Sequence, residues 1–237
     1  FTFDNCPKAS YEKMIEVVTK AEEYLSKHVK LAGAKMRGTD ADTGGDVDLK
    51  SLARLRRATA NTRDCPVLAQ LYQDETTLSF VGRPDLSHVA TGGPQTPDHA
   101  SRSKGFPAIL DGEAEACVAG FASAYRAYFE RHNPGNREPL DPAPRWVLWP
   151  SVGLVSLGRS LKESRVIRDI AEHTIKTIQW AEGLGGWVAL PESSVFDVEY
   201  WDLQQAKSKL QPDPLPLQGR VALVTGAASG IGRACAE

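Results

Sequence analysis

An α/β architecture is legible in one stretch, residues 145–180, RWVLWPSVGLVSLGRSLKESRVIRDIAEHTIKTIQW, where the spacing of apolar residues changes character. Val147 and Leu148 lie in an apolar run closed by Pro150, and Leu154, Val155 and Leu157 form a second run closed by Gly158. Short apolar runs bounded by turn residues read as buried strands, so the pair predicts two strands joined by a tight turn. From Ser160 the spacing becomes three and four: Val166, Ile167, Ile170, Ala171, Thr174, Ile175 and Ile178 make one helical stripe. Glu163, three residues after Ser160, completes a capping box that ties down backbone donors left unpaired by the first turn. Such a stripe has to cover the strands beside it. With 237 residues at 41% hydrophobic content the chain has enough apolar material for a real core.

The other elements follow in order. Residues 1–3 resemble a strand end, and 7–29 read as a helix with Tyr11, Met14, Ile15, Val18, Ala21 and Leu25 on one face and Pro7 in its first turn. Residues 33–46 hold four glycines and three aspartates with no periodic apolar positions, which predicts a loop. A short helix with Leu49, Leu52 and Leu55, a strand over 65–72, a helix opened by Asp74 and stopped at Gly82, and a short helix over 86–90 come next. TGGPQTPDHASRSK predicts an ordered loop, 106–110 a strand, and 113–132 a long helix with Val118, Phe121, Tyr125 and Tyr128 available for packing. Gly183, Gly185 and Gly186 terminate the helix that follows 160, residues 187–190 form a short apolar run, and a last helix covers 195–210. QPDPLPLQG, residues 211–219, cannot donate a sheet ladder and reads as a linker, beyond which 220–225 begins a fresh strand.

Twenty-eight basic residues stand against thirty acidic ones, a net charge of -2, so no overall field draws in nucleic acid or an anionic bilayer. No run approaches a membrane span and no signal peptide is visible, although the first residue is Phe1 rather than Met. Cys6, Cys65, Cys117 and Cys235 contain no CxxC pair, which points to reduced thiols in a cytoplasmic protein rather than a zinc site or disulfide framework.

The C-terminal VALVTGAASGIGRA, residues 221–234, is a strand, a glycine turn and a helix start, and it resembles the cofactor motif of short-chain dehydrogenases. The resemblance implies that Gly226, Ser229, Gly230, Ile231 and Gly232 approach NAD or NADP, with the helix donors aimed at the pyrophosphate. That family's catalytic Tyr-x-x-x-Lys pair has no counterpart here, since no Tyr is followed four residues later by Lys. FTFDNCPKASYEKMIEVVTKAEEYL at the other end looks like the final strand and helix of a class II aldolase/adducin domain, whose metal-binding His-Gly pair would precede Phe1. Between them, TPDHASRSK (96–104), VGLVSLG (152–158) and FDVEYWDLQQAK (196–207) resemble the middle region of fused rhamnulose-1-phosphate aldolase/short-chain dehydrogenase proteins.

Together these resemblances imply an α/β fold with a class II aldolase/adducin-like, mostly antiparallel central sheet flanked by helices, plus the first strand of a Rossmann domain. The expected organisation is an aldolase-like end over 1–31, a loop over 32–47, a degenerate aldolase-like domain over 48–210, a linker over 211–219 and a dehydrogenase start over 220–237. At one constant offset Thr2, Lys8 and Ser10 meet Ser156, Lys162 and Ser164, so the middle region reads as a second, degenerate copy. Where an aldolase would carry His-Gly it has Ser151, Val152 and Gly153; no metal site and no catalytic residue are expected.

Asp98, His99 and Ser101 do not make a triad, because adjacent residues rarely face one another and no serine elbow is present. Thr96, His99, Arg102 and Lys104 instead offer hydroxyl, imidazole and two cations to a phosphate or sugar phosphate on one short loop. The two functional expectations are a non-catalytic region linking and orienting an aldolase and a dehydrogenase, and a sugar-phosphate-binding domain. The expected partners are the remaining parts of the same chain and further copies of it.

Overall fold

The computed structural model describes residues 2–29, 47–209 and 214–236. The predicted loop 33–46 lies outside them. At the centre, strands β3 (Trp146–Trp149) and β4 (Gly153–Gly158) form the expected hairpin, with Trp146 opposite Ser156 and Leu148 opposite Leu154. Strand β1 (Leu68–Tyr72) adds antiparallel to β4, and the two-residue strand β2 (Ala108–Ile109) adds parallel to β3. The sheet order is β1-β4-β3-β2, a small mixed sheet with two antiparallel pairings and one parallel one.

Side-chain alternation sorts the strands' residues onto two faces. Val147, Val155 and Leu157 join a core with helices α2 (Leu49–Arg63), α6 (Ala114–His132) and α8 (Glu192–Glu199). Trp146, Leu148 and Leu154 face helices α3 (Glu75–Val81), α4 (Leu86–Val89) and α7 (Leu161–Leu184). The buried stripe of α7 is Ser164, Ile167, Ala171, Thr174, Ile175 and Ile178, narrower than expected because Val166 and Ile170 are only partly covered. Ser160 caps α7 by accepting from the Glu163 backbone N–H at 3.1 Å, and the Glu163 carboxylate reaches back to the Arg159 N–H at 2.7 Å.

The helix α1 (Pro7–His28) forms where expected, yet none of its residues is buried. It nevertheless repeats the joint before α7. Ser10 Oγ donates to the Thr2 carbonyl at 2.7 Å, and Thr2 Oγ1 donates to the Ser10 carbonyl at 2.9 Å. At the matching place Ser156 and Ser164 share a 2.6 Å hydroxyl bond. Cys6 and Ser160 are the corresponding caps, each accepting from the N–H three residues on.

Several expectations need correction. Residues 97–103 are not loop but a helix, α5 (Pro97–Ser103): Thr96 caps it, Pro97 needs no donor in its first turn, and Asp98 suits its positive end. The last helix breaks at Tyr200 and Trp201 into α8 and α9 (Asp202–Lys209), because Glu199 and Tyr200 turn inward together. The apolar run over 187–190 is not core: Val188 and Leu190 are exposed. Residues 2–4 and 221–224 join no ladder among the described residues, and Leu223 is 94% exposed. A strand exists only by pairing, and neither segment has a described partner.

Candidate functional site

Beneath the exposed surface of α5, α6 and α8 lies a cluster of charges. Lys104 ends α5 with φ 68 and ψ 165, a backbone region that is nearly glycine's alone and costs other residues about 1–3 kcal/mol. Its side chain runs inward and the residue is 4% exposed. The Nζ donates to the Asp141 carbonyl at 2.8 Å, sits 3.5 Å from the centre of the Tyr125 ring, and lies 3.8 Å from a Glu199 carboxylate oxygen. Glu199, 1% exposed at the end of α8, accepts from the hydroxyls of Tyr125 at 2.7 Å and Tyr128 at 3.2 Å. Tyr125 and Tyr200 share a 2.9 Å hydroxyl contact, and the Leu140 N–H donates to the Tyr200 hydroxyl.

Asp141 extends the cluster towards the sheet. Its carboxylate takes two bonds from Arg145, at 2.8 and 2.5 Å, and lies 3.8 Å from Arg63. Arg63 in turn holds Glu163 at 2.6 Å, at the start of α7. Three cations, Lys104, Arg63 and Arg145, thus stand against three carboxylates, Glu199, Asp141 and Glu163.

Burial drives the Lys104 amine down to about 7, with the nearby Arg145 charge adding to the effect and Glu199 and Asp141 opposing it. Burial also raises the Glu199 carboxyl, against Lys104 and the tyrosine hydroxyls, so each group keeps its neutral form further than it would in water. For Asp141 burial is outweighed by Arg145, and its carboxyl falls to about 2. Burial together with the Glu199 charge pushes the Tyr125 and Tyr128 hydroxyls far up, leaving them as donors.

An amine near neutrality beside a carboxyl and phenols is the chemistry of an acid–base site. A substrate needs a cavity, however. Two depressions of about 550 and 510 Å³ are lined by Asp74, Asp169, Glu172 and His173 among others, and by Thr19 to Lys27 on α1; neither is lined by Lys104 or Glu199. The cluster as it stands clamps α5, α6, α8 and the segment through Asp141 together.

The four residues predicted for a phosphate do not converge. Thr96 is spent as the α5 cap, and its hydroxyl also contacts His99 Nδ1. His99 faces His173 on α7 at 5.9 Å between ring centres, its Nε2 buried without a hydrogen-bond partner among the described residues. Burial lowers its basicity, helped by His173. Arg102 points outward in a 3.9 Å pair with Asp98, whereas Lys104 turns inward.

At the C-terminus the glycine turn is formed. Gly226 and Gly230 have φ 66 and 56, and a Cβ on Gly232 would lie 2.5 Å from the Gly226 carbonyl oxygen. Ser229 accepts from the Arg233 N–H at the start of α10 (Gly230–Ala236), and Ile231 is exposed.

At the β3–β4 turn Ser151 has φ 61 and the Val152 carbonyl accepts from Gln73, and among the described residues no group of three or more His, Cys, Asp or Glu stands together. Glu199 and its tyrosines escaped sequence reasoning, though a glutamate on the same helical face as Val195 and Phe196 was the available signal.

A protein named an uncharacterized oxidoreductase, YuxG of Bacillus subtilis (strain 168), is 28% identical over 250 residues, covering 98% of this chain and 36% of that protein. The chain therefore spans about a third of the relative's length. Residues 46–208, which contain the whole sheet and the buried charge cluster, match the family described as aldolase class II, second domain. On that match the chain belongs to the class II aldolase second-domain family.

Proposed function

We propose that this chain is the interior of a longer fused enzyme, a class II aldolase part followed by an NAD- or NADP-dependent short-chain dehydrogenase. In this reading residues 48–210 link and orient the two parts and carry no catalysis themselves. The observation behind it is the distribution of exposed apolar side chains. Tyr11, Ile15, Val18 and Tyr24 on α1, and Val221, Leu223 and Ile231 beyond the linker, are all exposed, whereas both sheet faces of the middle unit are covered. Exposed apolar surface of that extent marks contact with other parts of an assembly. The closed Lys104–Glu199 cluster supports a structural role, and the relative named as an oxidoreductase supports the dehydrogenase half.

The dinucleotide would meet Gly226, Ser229, Gly230, Ile231 and Gly232, of which the three glycines present backbone without a side chain in the way. The substrate class is a sugar phosphate of the rhamnulose type, and the setting a cytoplasmic homo-oligomer. The partly exposed Trp201 and Leu203 at the α8–α9 break extend the docking surface. Trp201→Ala in the longer protein is expected to loosen docking or subunit assembly while the middle unit stays folded, since a buried interface aromatic contributes about 2 kcal/mol or more. Limited proteolysis across 211–219 and light scattering read this out. Unchanged cleavage together with unchanged mass would overturn the docking role.

The second reading, a sugar-phosphate site at Thr96, His99, Arg102 and Lys104, draws on the unpartnered His99 Nε2. It requires Lys104 to leave Glu199 and the Tyr125 face. Calorimetric titration with inorganic phosphate tests it.

A further inference from the structure

The predicted linker returns to the middle unit before the chain moves on. Residues 216–219 form a turn in which the Gln218 N–H donates to the Leu215 carbonyl at 2.9 Å and the Arg220 N–H to the Leu217 carbonyl at 3.0 Å. Gly219 closes the turn with φ 73 and is buried, while its neighbours Leu217 and Arg220 are exposed. It sits where β1 is about to begin and β4 has just ended. A Cβ there would run into the Pro66 carbonyl oxygen, lie 2.8 Å from the Pro66 carbonyl carbon and 3.1 Å from the Arg159 carbonyl oxygen. Only a residue without a side chain lets the backbone enter this notch, and its positive φ is one that glycine adopts without strain.

We infer that Gly219 is a fixed joint, seating the chain against the sheet's β1–β4 end so that the dehydrogenase-like segment departs from a set point and direction. A free tether over 211–219 would let its far end wander over roughly 15–20 Å. Seated at Gly219, the chain has one residue, Arg220, before the apolar run of Val221 and Leu223, and the wandering is removed irrespective of the path taken earlier. The inference rests on the link-and-orient reading and names the residue that does the orienting.

Hydrogen exchange on the 237-residue chain tests the seat directly. In the wild type the amides of Gln218 and Arg220 should exchange slowly; exchange at the rate of an unstructured peptide would overturn the joint without any variant. Gly219→Ala should raise exchange at both amides by at least about tenfold while the amides of β4 and α7 stay protected, because local opening is independent of the core. Gly219→Asn separates the causes, since Asn tolerates positive φ but still carries a Cβ. Release in both variants supports close packing as the reason for glycine, and protection retained in both overturns it. In the longer protein, spin-label distances from the middle unit to the following segment should broaden in Gly219→Ala. Released amides with an unchanged distance distribution would mean that losing the seat does not free the following segment, and would sink the orienting role.

Discussion

Lys104 holds a backbone conformation in which glycine would be unstrained, a cost that the contacts of its ammonium inside have to offset. It satisfies the Asp141 carbonyl, stacks on Tyr125 and neutralises Glu199, and each partner would be stranded by its loss. Removing one member of a buried ion pair costs roughly 3–5 kcal/mol, because the other charge remains in a low-dielectric interior. Lys104→Met and Glu199→Gln should each fall in that range, and the double variant should cost clearly less than their sum. Urea unfolding of the four proteins measures the cycle. Neighbouring aromatics separate by burial in the same way. Tyr200→Ala, at 1% exposed, should destabilise by about 3–5 kcal/mol, whereas Trp201→Ala, at 51%, should stay within about 0.5 kcal/mol in this chain.

Among the elements, α7 depends on how closely its first turn approaches β4. Gly158 permits this: a Cβ there would collide with the Ser164 backbone N and lie 2.8 Å from its Cα. Gly158→Ala should therefore destabilise by more than the Ser160→Ala cap variant, for which about 1 kcal/mol is expected. Thermal and urea midpoints of the two variants decide the order.

The same helix start is held by the Arg63–Glu163 pair, and beyond it lies the Asp141–Arg145 pair. Burial opposes ionisation of both carboxylates, but Arg145 brings Asp141 from 3.8 to about 2 and Arg63 lowers Glu163. The folded state keeps them ionised where the unfolded chain protonates them, so their stabilisation is whole above about pH 5 and is lost as pH falls towards 2. For Asp141, about a third exposed, this is worth about 2 kcal/mol at most. Asp141→Asn should lower stability at pH 7 and flatten its fall between pH 5 and 3, as followed by urea midpoints. Glu199, whose carboxyl is raised by burial, contributes in the opposite sense: its share is full below pH 4.5 and is lost as pH rises through the folded value.

For the whole molecule, the covered sheet and the exposed ends lead to one expectation about ligands. The glycine turn is present, but residues 221–224 pair with no strand among the described residues, and a dinucleotide crevice is built between paired parallel strands. The 237-residue chain should show no saturable heat with NAD or NADP at micromolar concentrations in calorimetry, and an affinity in that range would contradict the proposed division of labour. No described helix is long and apolar enough to cross a membrane.

Short-range pattern by itself determined the hairpin over 146–158, the Ser160 cap, the buried stripe of α7 and the glycine turn, because each rests on spacing within a few residues. The helix over 97–103 was concealed by the glycines and prolines around it, though its Thr, Pro and Asp start signals were in view. Tertiary structure alone decided that the stripe of α1 stays exposed, that Tyr125 meets Glu199 from 74 residues away, and that Lys104 and Arg102 point in opposite senses. It also decided that Gly219 seats against Pro66 and Arg159. Desolvation and close approach are properties of what surrounds a residue in space, and for these residues the surroundings come from segments far along the chain.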